Sequence, residues 1–160
     1  MLELIPNQLG FPLLSLLIFV PVIGAVVLLA VRDARAARWI ALVFSVVELG
    51  LCVPLLTNFD SSLAHMQFGE SMPWISDWNI HYKLGVDGIS VLFVALTALL
   101  TVISIMVSWT AITDRVREFM VALLFLEAGM VGVFAALDLF LFYIFWEAML
   151  IPMYLLIGVW

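Results

Sequence analysis

The chain has 160 residues, of which 66% are apolar and only 11% charged, with a net charge of −6. An ordinary soluble domain carries about 25% charged residues, and no soluble fold of this length could hide so much apolar surface, so the composition describes a polytopic integral membrane protein. Six basic residues in small groups make no phosphate-binding patch, which excludes nucleic acid as a partner. The single cysteine, Cys52, excludes an internal disulfide and a cysteine-rich metal site.

Glu3 stands where a secretory leader would carry basic residues, and the first apolar stretch is long. The N-terminus is therefore read as leading into a retained span rather than as a signal peptide. Five spans are predicted, at about 11–31, 37–56, 86–109, 119–137 and 139–160. About 20 apolar residues cross a hydrocarbon core of roughly 30 Å as a helix. Barrel strands would be shorter and alternating. The expected fold class is thus all-α: a polytopic membrane helix bundle with five transmembrane helices, forming one membrane domain over residues 1–160. Pro21 and Pro152 fall inside spans, where neighbouring helices tolerate a kink.

Arg32, Arg35 and Arg38 separate the first two spans, and Arg115 and Arg117 separate the third from the fourth. The positive-inside rule places both connections in the cytoplasm. The connection 57–85, with Lys83 against Asp60, Glu70 and Asp77, then lies outside together with the N-terminus, as strict alternation requires. Within it Trp78, Ile80, Tyr82 and Leu84 alternate with Asn79, His81 and Lys83, the period of a half-buried strand. A small hairpin or strand cap on the outer surface is expected there, with Trp74 and Trp78 in an interfacial belt. Asp87 and Asp138 each open a predicted helix, where Asp is a favoured N-cap. Trp160 closes the chain directly at the end of an apolar span, which predicts a fragment of a longer membrane protein.

Three glutamates fall inside spans: Glu48, Glu127 and Glu147. An acidic group at the bilayer centre costs on the order of 3 kcal/mol on insertion scales, so each asks for a function. Glu147 lies nine residues beyond Asp138, roughly 13 Å deeper at about 1.5 Å per residue, close to the midplane. Tyr143, Glu147 and Tyr154 fall nearly on one line of a helix. Such a polar stripe suits water or a partner helix, and a group that takes up and releases protons. Pro152 frees the carbonyl of Ala148 beside it. The competing reading is a neutral Glu147 acting as interhelical glue. Glu127 lies beside a small-residue ridge, Ala128, Gly132 and Ala136, and hence at a packed interface, as proton relay or structural hydrogen-bonder. Glu48 has neither bracket nor ridge and reads first as structural, second as relay. His65 and His81 lie outside the spans, which argues against a paired-His membrane haem. Lys83 is the only lysine, so a charge partner for Glu147 has to lie outside these residues.

The stretch GVFAALDLFLFYIFWEAMLIPMYLLIGVW (Gly132–Trp160), together with LGVDGIS (Leu84–Ser90), closely resembles the NuoM (chain 4) antiporter-like subunit of respiratory complex I, the NADH:quinone oxidoreductase. The likeness runs along the whole chain. It implies the N-terminal part of a proton-translocating subunit of roughly fourteen helices, without a redox centre of its own. NADH, FMN, iron–sulfur clusters and quinone would then sit on partner subunits. The implied neighbours are other complex I membrane subunits, the peripheral redox arm and the lipid bilayer. The implied location is a bacterial inner (plasma) membrane, or the mitochondrial inner membrane in a eukaryote. In that family the fifth-helix Glu pairs with a Lys on a later, broken helix within a hydrated proton path, and by match of motif this Glu is Glu147. Many relatives also carry an acidic residue just after the Ser-Trp closing the third helix, whereas Ser108-Trp109 is followed here by Thr110, Ala111 and Ile112. Two other functions fit the same residues: a subunit of a stand-alone Mrp-type cation/proton antiporter, and a structural membrane scaffold.

Overall fold

The computed structural model describes residues 4–160; Glu3, on which the reading of the N-terminus rests, lies outside them. A short strand β1 (Leu4–Pro6) leads into helices α1 (Leu13–Ala30) and α2 (Ala34–Thr57). Strands β2 (Met66–Ile75) and β3 (Ile80–Val86) follow, then α3 (Ser90–Ala111), α4 (Val116–Ala135) and α5 (Leu139–Val159). Among the described residues, five helices are long and apolar enough to cross a membrane, with mean hydropathy of 1.9 to 2.9 over their best windows. The architecture is the polytopic helix bundle that the composition demands.

Helix α4 is the centre of the bundle and packs against each of the other four helices, whereas α5 rests chiefly on α4. Small side chains make this possible. A Cβ on Gly129 would lie 2.8 Å from Cβ of Met149, and one on Gly132 would collide with the ring of Phe145. Of the expected small-residue ridge, Gly132 meets α5, joined there by Gly129, which was not part of it; Ala128 is buried and Ala136 lies beyond the helix end.

The bundle has two distinct ends. At one, the Arg38 guanidinium donates to the carbonyl of Ile112 at 2.8 Å, Trp39 meets Trp109 edge-on at 5.2 Å, and the Trp160 indole donates to the carbonyl of Asp114 at 2.9 Å. Both arginine-bearing connections therefore share one end with the close of α5. At the other end sits a three-stranded sheet in the order β1-β2-β3. Its β2–β3 hairpin is antiparallel, with Glu70 opposite Leu84 and Met72 opposite Tyr82. The expected hairpin is present, with Ile80 and Leu84 buried, but Tyr82 is half-buried like its neighbours His81 and Lys83, so the expected alternation is kept only in part. Trp78 instead lies in a 3₁₀ turn (Ser76–Trp78) and is 73% exposed. Asn79, at φ +53°, closes that turn in the left-handed region that Asn tolerates. Strand β1, parallel to β2, was not expected: three residues are too few to show a period.

The sheet is fastened to the helices by carboxylates. Glu70 accepts from the amides of Leu14 (2.8 Å) and Ser15 (3.2 Å) and from the Ser15 hydroxyl. It thereby caps α1, whose N-cap Pro12 has no side chain able to do so. Asp138 caps α5 through the amides of Phe140 and Leu141, while its other oxygen accepts from the amide of His81 in β3 at 3.2 Å. The expected role of Asp138 is thus met, and a strand is tied to a helix as well. Asp87 accepts from the amides of Ser90 (2.7 Å) and Ile89 (3.1 Å), and these bonds hold its carboxyl below the usual range.

Two predicted boundaries move for a physical reason. The third span was expected from Val86, but Val86 is the last residue of β3 and α3 starts at Ser90, after the Asp87 turn. The fourth was expected to reach residue 137, but α4 stops at Ala135. Ala136 bridges to Leu84, and the Leu137 amide donates to the carbonyl of Lys83 at 2.9 Å. Val86 is as apolar as α3, and Ala136 and Leu137 continue the apolar run of α4, so hydropathy alone could not assign these residues to strand or helix.

The buried side chains divide into two apolar clusters. The one at the sheet end contains Leu14, Leu17, Cys52, Val94, Ala98 and Val131; the one at the arginine end contains Ala25, Ala41, Ile105, Met120 and Leu124. Buried polar residues lie between them.

Candidate functional site

That intervening layer is built from three helices. On α2 the buried stripe runs Ala37, Ala41, Ser45, Glu48, Cys52, Leu55; on α4 it includes Met120, Leu124, Glu127, Val131 and Ala135. Both follow spacings of three and four, which keep one helix face inward. On α3 the corresponding positions are Val94, Ala98, Thr101, Ile105 and Ser108. Each stripe places its polar residue in the same layer: Glu48, Thr101 and Glu127. Glu48 is ten residues past Arg38 and Glu127 ten past Arg117, so both stand about 15 Å from the arginine end. This is half the depth of a hydrocarbon core.

Glu48 and Glu127 are both 0% exposed. Their carboxyl groups are neighbours, and Thr101 approaches Glu127 from α3. Among the described residues, none of the four carboxyl oxygens finds a well-formed hydrogen bond. Thr101 has already given its proton to the carbonyl of Thr97 at 3.1 Å, and the Ser45 hydroxyl donates to the carbonyl of Leu42 at 3.0 Å. These local hydroxyl-to-carbonyl bonds are the usual choice of Ser and Thr inside helices.

Glu147 occupies a different environment. It is exposed on α5, with Tyr143 at 57% and Tyr154 at 76% exposure on the same side. Together with Ile144, Ala148, Leu150 and Ile151 they line a shallow groove of about 540 Å³ formed by α5 alone. Leu141 and Pro152 are the fully buried residues of this helix. The polar stripe read from the sequence thus exists as a surface, and the carboxylate faces away from α4. The structure separates the three glutamates into a pair and a single. His81 takes part in the sheet through its amide, and His65 lies in the connection before β2.

Sequence reasoning missed the convergence of Glu48 with Glu127, and missed Thr101 and Ser45 altogether. The available signal went only part of the way: both glutamates sit on heptad-like stripes of otherwise apolar or small residues, which turns each inward without pairing them.

The two stretches that carry the family resemblance are joined in space. Leu84–Ser90 ends β3 and opens α3; Gly132–Trp160 ends α4 and forms α5; the Leu84–Ala136 bridge and the His81–Asp138 bond clamp them together. No family model matches the chain. The chain is, however, 49% identical over 154 residues to the NADH-quinone oxidoreductase subunit M of Rhodobacter capsulatus. It is 44% identical over 149 residues to the NADH-ubiquinone oxidoreductase chain 4 of Arabidopsis thaliana. Each alignment takes in 92% of this chain and 30% of the relative. This segment belongs with the subunit M and chain 4 proteins. The F(420)H(2) dehydrogenase subunit M of Methanosarcina mazei is also similar, 38% identical over 149 residues, 93% of this chain and 30% of that one. The chain therefore spans a little under a third of the length of the curated relatives it matches.

Proposed function

We propose that this segment works within a proton-translocating membrane subunit of an NADH:quinone oxidoreductase, with Glu147 as its proton-carrying group. The observation that carries this reading is the placement of Glu147 with Tyr143 and Tyr154 on the open face of an otherwise apolar helix. A carboxylate on such a face has no packing task within these residues and requires a partner of complementary polarity. The resemblance supplies one in kind, a lysine on a later helix. NADH, FMN, iron–sulfur clusters and quinone belong to partner subunits, and the membrane is a bacterial inner membrane or its mitochondrial counterpart. Moving each proton against the membrane potential costs about 2.3 kcal/mol per 100 mV, which the redox reaction has to supply. The relatives support a role independent of the electron donor, since one is named for F(420)H(2) and others for NADH.

Affinity purification of the full-length protein from its native membrane tests the assignment. Flavin and iron–sulfur proteins with NADH:quinone activity are expected to accompany it. Cation/proton exchange activity from a preparation free of redox proteins would instead establish the Mrp-type antiporter.

Orientation is tested separately. With the arginine end in the cytoplasm, a cysteine at position 35 is expected to resist an impermeant thiol reagent on intact cells, and one at exposed Trp78 to react. The reverse pattern would invert the topology.

A further inference from the structure

The pair on α2 and α4 lies outside the α5 stripe. Gly129 opposes Met149 and Gly132 opposes Phe145, which puts Glu147 about one helical turn from Glu127 in depth. Yet Glu147 faces outward from α5, and Glu127 faces inward toward α2 and α3. The packed α4–α5 contact stands between them.

Among the described residues, nothing charged compensates the pair. Helices α1 and α3 contain no ionisable side chain, and the ionisable groups of α5 are Tyr143, Glu147 and Tyr154 on its open face. On α2 the nearest titratable neighbour is the Cys52 thiol, one turn along. The arginines of α2 and α4 (Arg35, Arg38 and Arg117) are ten or more residues away at the bundle end, where Arg117 pairs with Glu118. Two adjacent carboxylates enclosed between apolar clusters cannot both be charged without a cation. Both also lack a donor, because Thr101 and Ser45 have spent their protons on backbone carbonyls. A carboxylic acid proton supplies that donor.

We propose that Glu48 and Glu127 form a second proton-binding site at mid-membrane, a carboxyl dyad that holds two protons or one and exchanges a single proton as a unit. With two protons, each acid donates to the other and the pair is neutral. With one, the remaining acid donates to the carboxylate and the charge is shared. The ligand is a proton rather than a larger cation, since both side chains are wholly enclosed between packed helices. The site does not depend on the role proposed for Glu147, because proton occupancy is a property of the resting protein.

The test uses the full-length chain in lipid vesicles, with infrared spectra recorded against pH in H₂O and D₂O. The wild type is expected to show a D₂O-sensitive carboxylic-acid carbonyl band at neutral pH. Glu48→Gln and Glu127→Gln should each alter that band, and the double variant should remove it. Each single variant should move the midpoint of the remaining carboxyl by more than about one pH unit, the mark of coupled sites. Absence of the band from the wild type overturns the proposal without recourse to any variant. Midpoints in the single variants equal to those of the wild type also overturn it, by showing two independent groups. A midpoint that shifts with sodium concentration overturns it too, by making the site a cation site.

Discussion

Glu147→Gln is expected to reduce proton pumping by roughly a hundredfold or more, the scale on which positioned proton-transfer groups act, while leaving assembly intact. Gln keeps the size and much of the hydrogen-bonding capacity of Glu but cannot ionise. The structure sharpens the test because Glu147 lies on the open face of α5. The substitution removes no contact with α4 and creates no cavity, so a loss of function cannot be ascribed to a collapsed bundle. Coupled quinone reduction should fall with pumping, since electron transfer that cannot discharge its energy into proton movement is held back. Glu147→Asp should retain more activity than Gln, because it still ionises although it reaches less far. Proton translocation and NADH:quinone turnover would be measured in vesicles, with assembly followed on a native gel. Normal pumping by an assembled Gln variant would leave Glu147 as interhelical glue.

The contrast between Glu147 and the other two glutamates shows what a sequence can and cannot give. Five spans, their alternation and the arginine end were legible because hydropathy and charge act over windows of about 20 residues. The hairpin was legible from a period of two between Ile80 and Leu84, and the Asp138 cap from residue type and place. The ends of α3 and α4 were not, because Val86 and Ala136 are as apolar as the helices beside them and are claimed by backbone pairing. The Glu48–Glu127 pair was not legible because it joins residues 79 positions apart on non-consecutive helices. Their stripes show that each faces inward, but only the packing of α2 against α4 brings them to one level. Reading Glu48 alone, without bracket or ridge, gave no sign of its neighbour on α4. Reading Glu127 from its ridge placed it correctly at an interface, though the ridge itself serves α5 and Glu127 serves α2 and α3.

Gly132→Ala is expected to destabilise the bundle by about 1–3 kcal/mol, the usual cost of forcing extra atoms into a packed interior. The new Cβ would overlap Cγ of Phe145 as well as its ring edge, so rotating the ring tip cannot relieve the clash. Phe145 is itself packed against the cluster at the sheet end, and α5 would have to slide or lift from α4. Among the described residues the contacts of α5 run chiefly to α4, with a smaller share to β3. Gly158→Ala is the control: among the described residues nothing lies within 4 Å of a Cβ there, and replacing Gly within a helix favours the folded state by roughly 0.5–1 kcal/mol. Thermal unfolding of the full-length chain in detergent would rank Gly132→Ala below wild type and Gly158→Ala at or above it. Phe145→Leu added to Gly132→Ala should recover part of the loss, because the smaller side chain vacates the space the methyl needs. A coupling of about 0.5–3 kcal/mol between the two positions is the expected signature of direct contact. Additive effects, or a Gly132→Ala chain as stable as the control, would mean that α4 and α5 do not meet at this glycine.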